Sequence, residues 1–222
     1  MKPSEFSILL NGLYPDLTTP QIEKLCQLKE LYQFWNDKIN VISRKDMDNF
    51  FIHHVLHSLS IYKIISFRPD SFILDVGTGG GFPGVPLAIV NKDTSFHLID
   101  SIGKKIKVVK EVCNELKVEN VLAEQKRAEN TKGNFDFVIS RAVTRFSKFC
   151  PWVVDKIKED SKHHLKNGII YLKGGDLKDE LNAIKQKYHH SIYHLKDYIE
   201  HDFFETKQIV HLHKKITSFI IN

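Results

Sequence analysis

Residues Ile73–Gly84 read ILDVGTGGGFPG, an apolar run carrying one acid and then five glycines within eight residues. Glycine adopts positive φ without steric cost and lets a ligand approach the main chain closely. So much backbone freedom directly behind an apolar strand predicts a sharp turn at the strand's carboxyl end. In open α/β sheets, ligands bind there. This stretch therefore predicts a doubly wound sheet with a strand over Phe72–Val76 and a ligand at the turn formed by Gly77, Gly79, Gly80 and Gly81.

The rest of the chain fits that architecture. Short apolar runs over Ser95–Asp100, Val118–Glu124, Phe135–Ser140 and Gly168–Lys173 read as strands. Helical periods lie between or after them, over Pro86–Val90, Lys104–Leu116, Phe146–Leu165 and Leu177–Tyr188. Such alternation predicts a mostly parallel sheet with helices on both faces. Two β-rich segments near the end, Asp197–Glu205 and Lys207–Lys215, are close enough to pair as a hairpin and finish the sheet with an antiparallel edge. Ahead of the sheet, Ile22, Leu25, Leu28, Leu31, Tyr32, Trp35 and Ile39 recur at helical spacing from Pro20 to about Ile42. Thr18 and Thr19 supply the cap, and Pro20 suits a first turn. A second helix is expected over Asp46–Ile65. The expected organisation is a helical N-terminal extension over residues 1–70 and a ligand-binding α/β domain over residues 71–222.

The chain of 222 residues is 42% hydrophobic and 27% charged, with both signs mixed. That suits a globular fold with a sizeable core and excludes global disorder. The net charge of +5 accommodates an anionic partner without requiring one. Cys26, Cys113 and Cys150 are far apart and form no CxxC pair, as expected of reduced thiols in a cytosolic protein. No leader-like stretch is seen, and no apolar run approaches the ~18 residues of a membrane span. A cytoplasmic monomer is expected.

The glycine pattern is D-x-G-x-G-x-G from Asp75, and Phe82 stands where a dinucleotide fingerprint needs its third glycine. A P-loop is excluded as well, because Gly103-Lys104 lacks both the upstream glycine and a following Ser or Thr. An acid two residues before the first glycine points toward positive charge or an amino group. S-adenosylmethionine carries a sulfonium and an ammonium and has no phosphate. The next strand ends in HLID, so Asp100 sits where a carboxylate accepts both ribose hydroxyls of an adenosine. NAD would use the same acid, and Asp100 would also serve as a cap for the helix beginning near Ile102. Asp75, together with the absence of a phosphate-fitting glycine pattern, favours S-adenosylmethionine.

The motifs LDVGTGGGFPGVPLAIV, LIDSIGKKIKVV, RAEN, FDFVISRAV and YLKGG occur in this order. Together they resemble the glucose-inhibited division protein B family of bacterial small-subunit ribosomal RNA guanine-N7 methyltransferases. The lead-in WNDKINVISRKDMDNFFIHHVLHSLSI is also similar, and the resemblance spans roughly Leu31 to Gly175. It implies a Rossmann-like class I methyltransferase fold that binds S-adenosylmethionine and acts on 16S ribosomal RNA or the small ribosomal subunit. By position it implies that Gly77, Gly79 and Phe82 line the cofactor. Asp100 would take the ribose, Ala128 and Glu129 would meet the adenine, and Arg141 would also reach the cofactor. Two positions depart from the family pattern: His57 replaces a usual Asp, and Gly80 replaces a common proline.

The segment after the fourth strand, ISRAV, is not the N/D-P-P-Y/F of exocyclic-amine methyltransferases. Cys150-Pro151 reverses the Pro-Cys order of cytosine-C5 enzymes and lies in an apolar helical stretch, so a core role is expected. Guanine N7 already presents an in-plane lone pair and loses no proton on methylation. The expected mechanism is positioning, with no catalytic acid or base and no covalent intermediate. RNA contact is expected from Arg44, Lys45, Arg145, Lys148 and Lys173, with Arg141 near the cofactor end. His53 and His57 have a spacing open to zinc but lack an evident third ligand, and packing or RNA contact is the expectation. The competing readings are a nicotinamide dehydrogenase, a methyltransferase for another acceptor, and a noncatalytic assembly factor.

Overall fold

Seven strands form one sheet in the computed structural model, which describes residues 1–215 apart from the Arg44 side chain. They are β1 (Phe72–Val76), β2 (Ser95–Asp100), β3 (Val121–Gln125), β4 (Phe137–Arg141), β5 (Gly168–Gly174), β6 (Tyr188–His194) and β7 (Lys207–Lys214), in the order β3-β2-β1-β4-β5-β7-β6. β1 to β5 run parallel, and β7 is antiparallel to both β5 and β6.

Successive strand side chains point to opposite faces. Ile73, Phe137, Ile139 and Ile170 thus enter one core, and Leu74, Val138, Ile169 and Tyr171 enter the other. The first core is closed by α1 (Pro3–Leu13), α2 (Thr19–Asn36), α3 (His57–Ile64), α4 (Gly84–Val90) and α5 (Gly103–Glu115). The second is closed by α6 (Phe146–Val153) and α7 (Lys178–Asn182). Both faces are dry, so the central strands are apolar almost throughout. Among the described residues, no helix is long and apolar enough to cross a membrane.

The structure departs from the sequence pattern in five places. The helix expected from Pro20 to about Ile42 is α2, which ends at Asn36. The helix expected over Asp46–Ile65 is a 3-10 turn at Arg44–Asp46, a π-helix over Phe51–Leu56 and then α3. The helix expected to reach Leu165 ends at Val153. Pro151 lies inside it, and proline removes a helical donor and crowds the preceding turn. Beyond it, the Phe135 N–H donates to the Lys156 carbonyl, so the chain runs beside the start of β4 instead. The helix expected over Leu177–Tyr188 is only α7, with Tyr188 already opening β6.

The terminal hairpin is also made differently. β7 pairs with Tyr188–His194, whereas Asp197–Glu205 contains only 3-10 turns. From Leu195 to Glu205, Leu195, Ile199 and Phe204 are the buried residues. Their spacing of four and five suits turns that repeatedly drop a side chain into the core, not a strand of period two.

Candidate active site

The glycine turn is held from below. The Gly77 and Thr78 N–H groups both donate to the Ile99 carbonyl of β2, at 2.9 and 3.0 Å. The Gly81 and Phe82 N–H groups donate to the Thr78 carbonyl, both at 2.9 Å. Gly77 has φ 68°, and a Cβ there would collide with Val143 Cγ2. Glycine is therefore required both for the conformation and for the close approach of the segment after β4. From the other side, the Tyr32 hydroxyl of α2 donates to the Gly80 carbonyl.

Asp75 lies wholly buried beneath the loop and outside the cavity lining, which corrects the expectation that it faces the ligand. Strand alternation puts it on the Ile73 face, toward α4. Its Oδ2 accepts from Thr78 Oγ1 at 2.6 Å and from the Gly84 N–H at 2.9 Å. Oδ1 is buried without a partner. Burial pushes the carboxyl up to about 7, against the lowering pull of Thr78, Gly84 and Arg141.

Above the loop opens a cavity of about 520 Å³. Gly77, Gly79 and Phe82 line it, with Asp100 at the end of β2, Ala128 and Glu129 after β3, and Arg141 at the end of β4. Val41 and Ile42 reach it from the segment behind α2. Asp100 Oδ2 accepts from the Gly79 N–H and Oδ1 from the Ile102 N–H, each at 2.9 Å. It thus both clamps the loop and caps the approach to α5. A carboxylate oxygen has two acceptor sites, so each oxygen keeps one for a pair of vicinal hydroxyls.

The cavity's chemistry fits a nucleoside without a pyrophosphate. A pyrophosphate cradle needs loop N–H groups aimed at the ligand. Here the N–H groups of residues 77, 78, 79, 81 and 82 are bonded within the protein. S-adenosylmethionine meets this test, with Asp100 for its ribose and Ala128 and Glu129 at the far end of the cavity.

A second cavity, of about 720 Å³, shares His54, Arg141, Ala142 and Val143 with the first. Arg141 is half-buried in this common wall. It donates to the His53 carbonyl at 3.1 Å and lies 3.0 Å from His54 Nδ1. Its guanidinium carbon is 5.3 Å from the Phe82 ring centre. Burial pulls its pKa down to about 10, opposed by Asp75 and Asp46, so it stays charged at neutral pH. Ala142 follows with φ 53°, a left-handed conformation that costs a non-glycine residue roughly 1–3 kcal/mol and concentrates at functional sites. The Tyr171 hydroxyl fixes the next two residues. It accepts from the N–H groups of Val143 and Thr144, at 3.0 and 2.9 Å, and donates to the Thr144 carbonyl at 3.0 Å.

The expected RNA-contacting residues separate. Arg145 is exposed and lines the second cavity. Lys173 also lines it, yet its ammonium donates to the Thr144 carbonyl at 2.8 Å and pairs with Glu180 at 3.0 Å, so it is committed to the cavity's own frame. Lys148 is exposed on α6, outside that lining, and Lys45 is exposed within the Arg44–Asp46 turn. The Arg44 side chain lies outside the described residues. Cys150 is buried in the second core with its thiol pushed up to about 12 by burial, as suits packing.

Sequence reasoning missed Asp46, His54, Tyr171, Phe203 and Lys207 as members of this site. The π-helix explains the first two. Its wide turn lets the consecutive His53 and His54 both reach Asp46, at 2.5 and 2.6 Å, and π-turns recur at functional sites. The His53-His54 doublet was the available signal. His57 is buried, with Nε2 unpartnered. Among the described residues, no three His, Cys, Asp or Glu side chains group as metal ligands.

The family model described as rRNA small subunit methyltransferase G matches residues 21–208. The ribosomal RNA small subunit methyltransferase G of Flavobacterium johnsoniae is 56% identical over 199 residues, which cover 90% of this chain and 94% of that protein. The protein of the same name from Bacteroides fragilis is 48% identical over 204 residues, covering 92% and 98%. Among solved structures, an S-adenosylmethionine-dependent methyltransferase from Aquifex aeolicus aligns with TM-score 0.56 at 13% identity, over 77% of this chain and 98% of that one. A precorrin-6y C5,15-methyltransferase from Geobacter metallireducens aligns with TM-score 0.53 at 9% identity, over 80% and 92%. At such identities the structural likeness speaks for the fold alone.

Proposed function

Because the chain belongs to the rRNA small subunit methyltransferase G family, we propose that it methylates N7 of one guanosine in 16S ribosomal RNA, with S-adenosylmethionine as methyl donor. The observation that carries this reading is the junction of two cavities at Arg141, Ala142 and Val143. One has the chemistry for an adenosine, and the other opens beside it with room for a base. We assign the first to the cofactor and the second to the acceptor nucleoside.

S-adenosylmethionine, when bound, supplies a methyl group activated on a sulfonium. The chain's own residues hold and orient. Asp100 would offer its two free acceptor sites to the ribose, Ala128 and Glu129 would flank the adenine, and the Gly77–Phe82 loop would shape the floor. Asp75 acts from beneath, by fixing Thr78 and the start of α4. On the acceptor side no base is needed, since N7 has a free lone pair and releases no proton. What the protein supplies there is alignment, which is worth roughly 7–11 kcal/mol in favourable cases. Methylation leaves the guanine positively charged. The acceptor cavity tempers its cations with Asp46, Asp176 and Glu180, and burial keeps His54 and His57 neutral at pH 7.

Arg145, exposed at the cavity rim, is assigned to the RNA backbone, with Arg44 and Lys148 as outlying contacts and Lys173 as part of the frame. An unpaired guanosine suits this cavity, because sequence-specific RNA recognition targets bases splayed out of helices. We place the enzyme in the cytoplasm and expect a monomer.

The test is transfer of labelled methyl from S-adenosylmethionine to small ribosomal subunits lacking the N7 mark, with the product mapped by cleavage at 7-methylguanosine. A single labelled guanosine is the expected result. Cofactor binding without transfer to subunits or to their free RNA would refute the assignment.

A further inference from the structure

Arg141 stands in the wall common to both cavities, but its direction is set from outside the glycine loop and outside the sheet. One terminal nitrogen donates to the His53 carbonyl and the other meets His54 Nδ1 at 3.0 Å. A guanidinium has donors only. Nδ1 of His54 must therefore be bare and accept, and the single proton of a neutral imidazole sits on Nε2. That nitrogen is 2.6 Å from Asp46 Oδ2, which takes the proton as an acceptor should. The other Asp46 oxygen lies 2.5 Å from His53 Nδ1, and the His53 ring stacks on Phe203 at 4.1 Å. The row Asp46, His54, Arg141 admits one tautomer only. A proton on Nδ1 would set N–H against N–H and release the guanidinium.

We propose that Asp46 and His54 are positioning residues for methyl transfer, holding the Arg141 guanidinium at the junction of the two cavities through a His54 that carries its proton on Nε2 alone. This rests on the methyl-transfer reading above. Asp46 and His53 face His54 from its own side and Arg141 from β4. Burial, Arg141 and His53 lower its pKa against the raising pull of Asp46, and the ring is neutral at pH 7. Asp46 thereby becomes part of the reaction site, although it lies outside the lining of the cofactor cavity. The role predicted for the pair is a loss of turnover without a matching loss of cofactor affinity.

Two measurements on the full chain test this. Imidazole nitrogen NMR at pH 7, with His54 assigned by its disappearance in His54→Gln, reads the tautomer directly. Protonated Nε2 with bare Nδ1 is expected, and the opposite tautomer or an imidazolium would overturn the proposal. Kinetics then compare two variants. His54→Leu offers neither bond and is expected to lower kcat about tenfold or more, with cofactor Kd within about threefold. His54→Gln presents an N–H to Asp46 and a carbonyl to Arg141, and is expected to recover at least about fivefold of that kcat loss. Equal kcat in the two variants would overturn the proposal. Asp46→Leu covers the case in which His54→Leu fails to fold. Its side chain accepts from neither imidazole, so an unchanged kcat there counts against the pair. A wild-type enzyme that transfers no methyl to unmarked subunits would instead refute the reading of function, and the tautomer measurement would still decide the arrangement.

Discussion

The cofactor cavity takes most of its walls from Gly77–Phe82, Asp100, Ala128–Glu129 and Arg141, each placed where one of four neighbouring parallel strands ends. The acceptor cavity draws on Asp46, the π-helix, the segment after β4, Lys173, α7 and the approach to β7, which are scattered across more than half of the chain. The first is shaped by main chain and one contiguous motif. The second is shaped by side chains that meet only in the finished fold. Each should fail in its own way when a residue is changed.

Gly77→Val should give the largest effect. It forces a β-branched residue into a left-handed conformation and drives its Cβ into Val143. Cofactor affinity measured by calorimetry should fall by about a hundredfold or more, the size expected when a cradle closes. If binding survives, the main-chain account of this cavity is wrong.

The loop's dependence on a single buried acid should appear as pH sensitivity of stability. The Asp75 carboxyl is raised from 3.8 to about 7 in the folded chain. Between those values the folded state keeps a proton that the unfolded state has released. Its stabilising effect is full below the lower value and is lost as pH rises through the higher one. Denaturant midpoints of the wild type should therefore decline from about pH 4 to about pH 7, with stability falling by up to about 1.4 kcal/mol per pH unit across that window. Asp75→Asn, which cannot ionise, should flatten that decline. Parallel curves for the two proteins would remove Asp75 from this role.

On the acceptor side, Tyr171→Phe should lower kcat about tenfold while leaving cofactor Kd nearly unchanged. It strands the Val143 and Thr144 N–H groups, at a stability cost of about 1–3 kcal/mol. Equal losses in both parameters would mean that the two cavities are not separable at this segment. The smallest effect is expected at the rim. Arg145→Ala should weaken RNA binding a few-fold and reduce the slope of log affinity against log salt by about one. An unchanged slope would take Arg145 off the phosphate backbone.

The contrast between the cavities also decides what could be read from the sequence. β1 and β2 begin and end where their apolar runs do, because a strand buried on both faces leaves an unmixed signal. The glycine loop and Asp100 were legible because a strand end fixes where its next residues go. Asp75 was found but aimed wrongly, since one step of strand alternation turns a side chain from the ligand to the helix beneath. α6 was overrun because apolar spacing continues past Val153, while the chain turns there to run beside the start of β4. Asp46 and His54 were illegible for a different reason. Their pairing depends on a π-turn, which shifts side chains by one position per turn and leaves no mark in a pattern scored at 3.6 residues.

The strand order β5-β7-β6 bears on how the protein is made. Among the described residues, β7 is the last strand, yet it lies inside the sheet, and β6 has no other sheet neighbour. Synthesis proceeds from the amino end, so every segment that lines the cofactor cavity has been made by Trp152. Phe203 and Lys207, which complete the acceptor cavity, come some fifty residues later. A growing chain thus contains every residue that lines the first cavity well before it contains the last of those that line the second. The second is complete only once β7 has its place between β5 and β6.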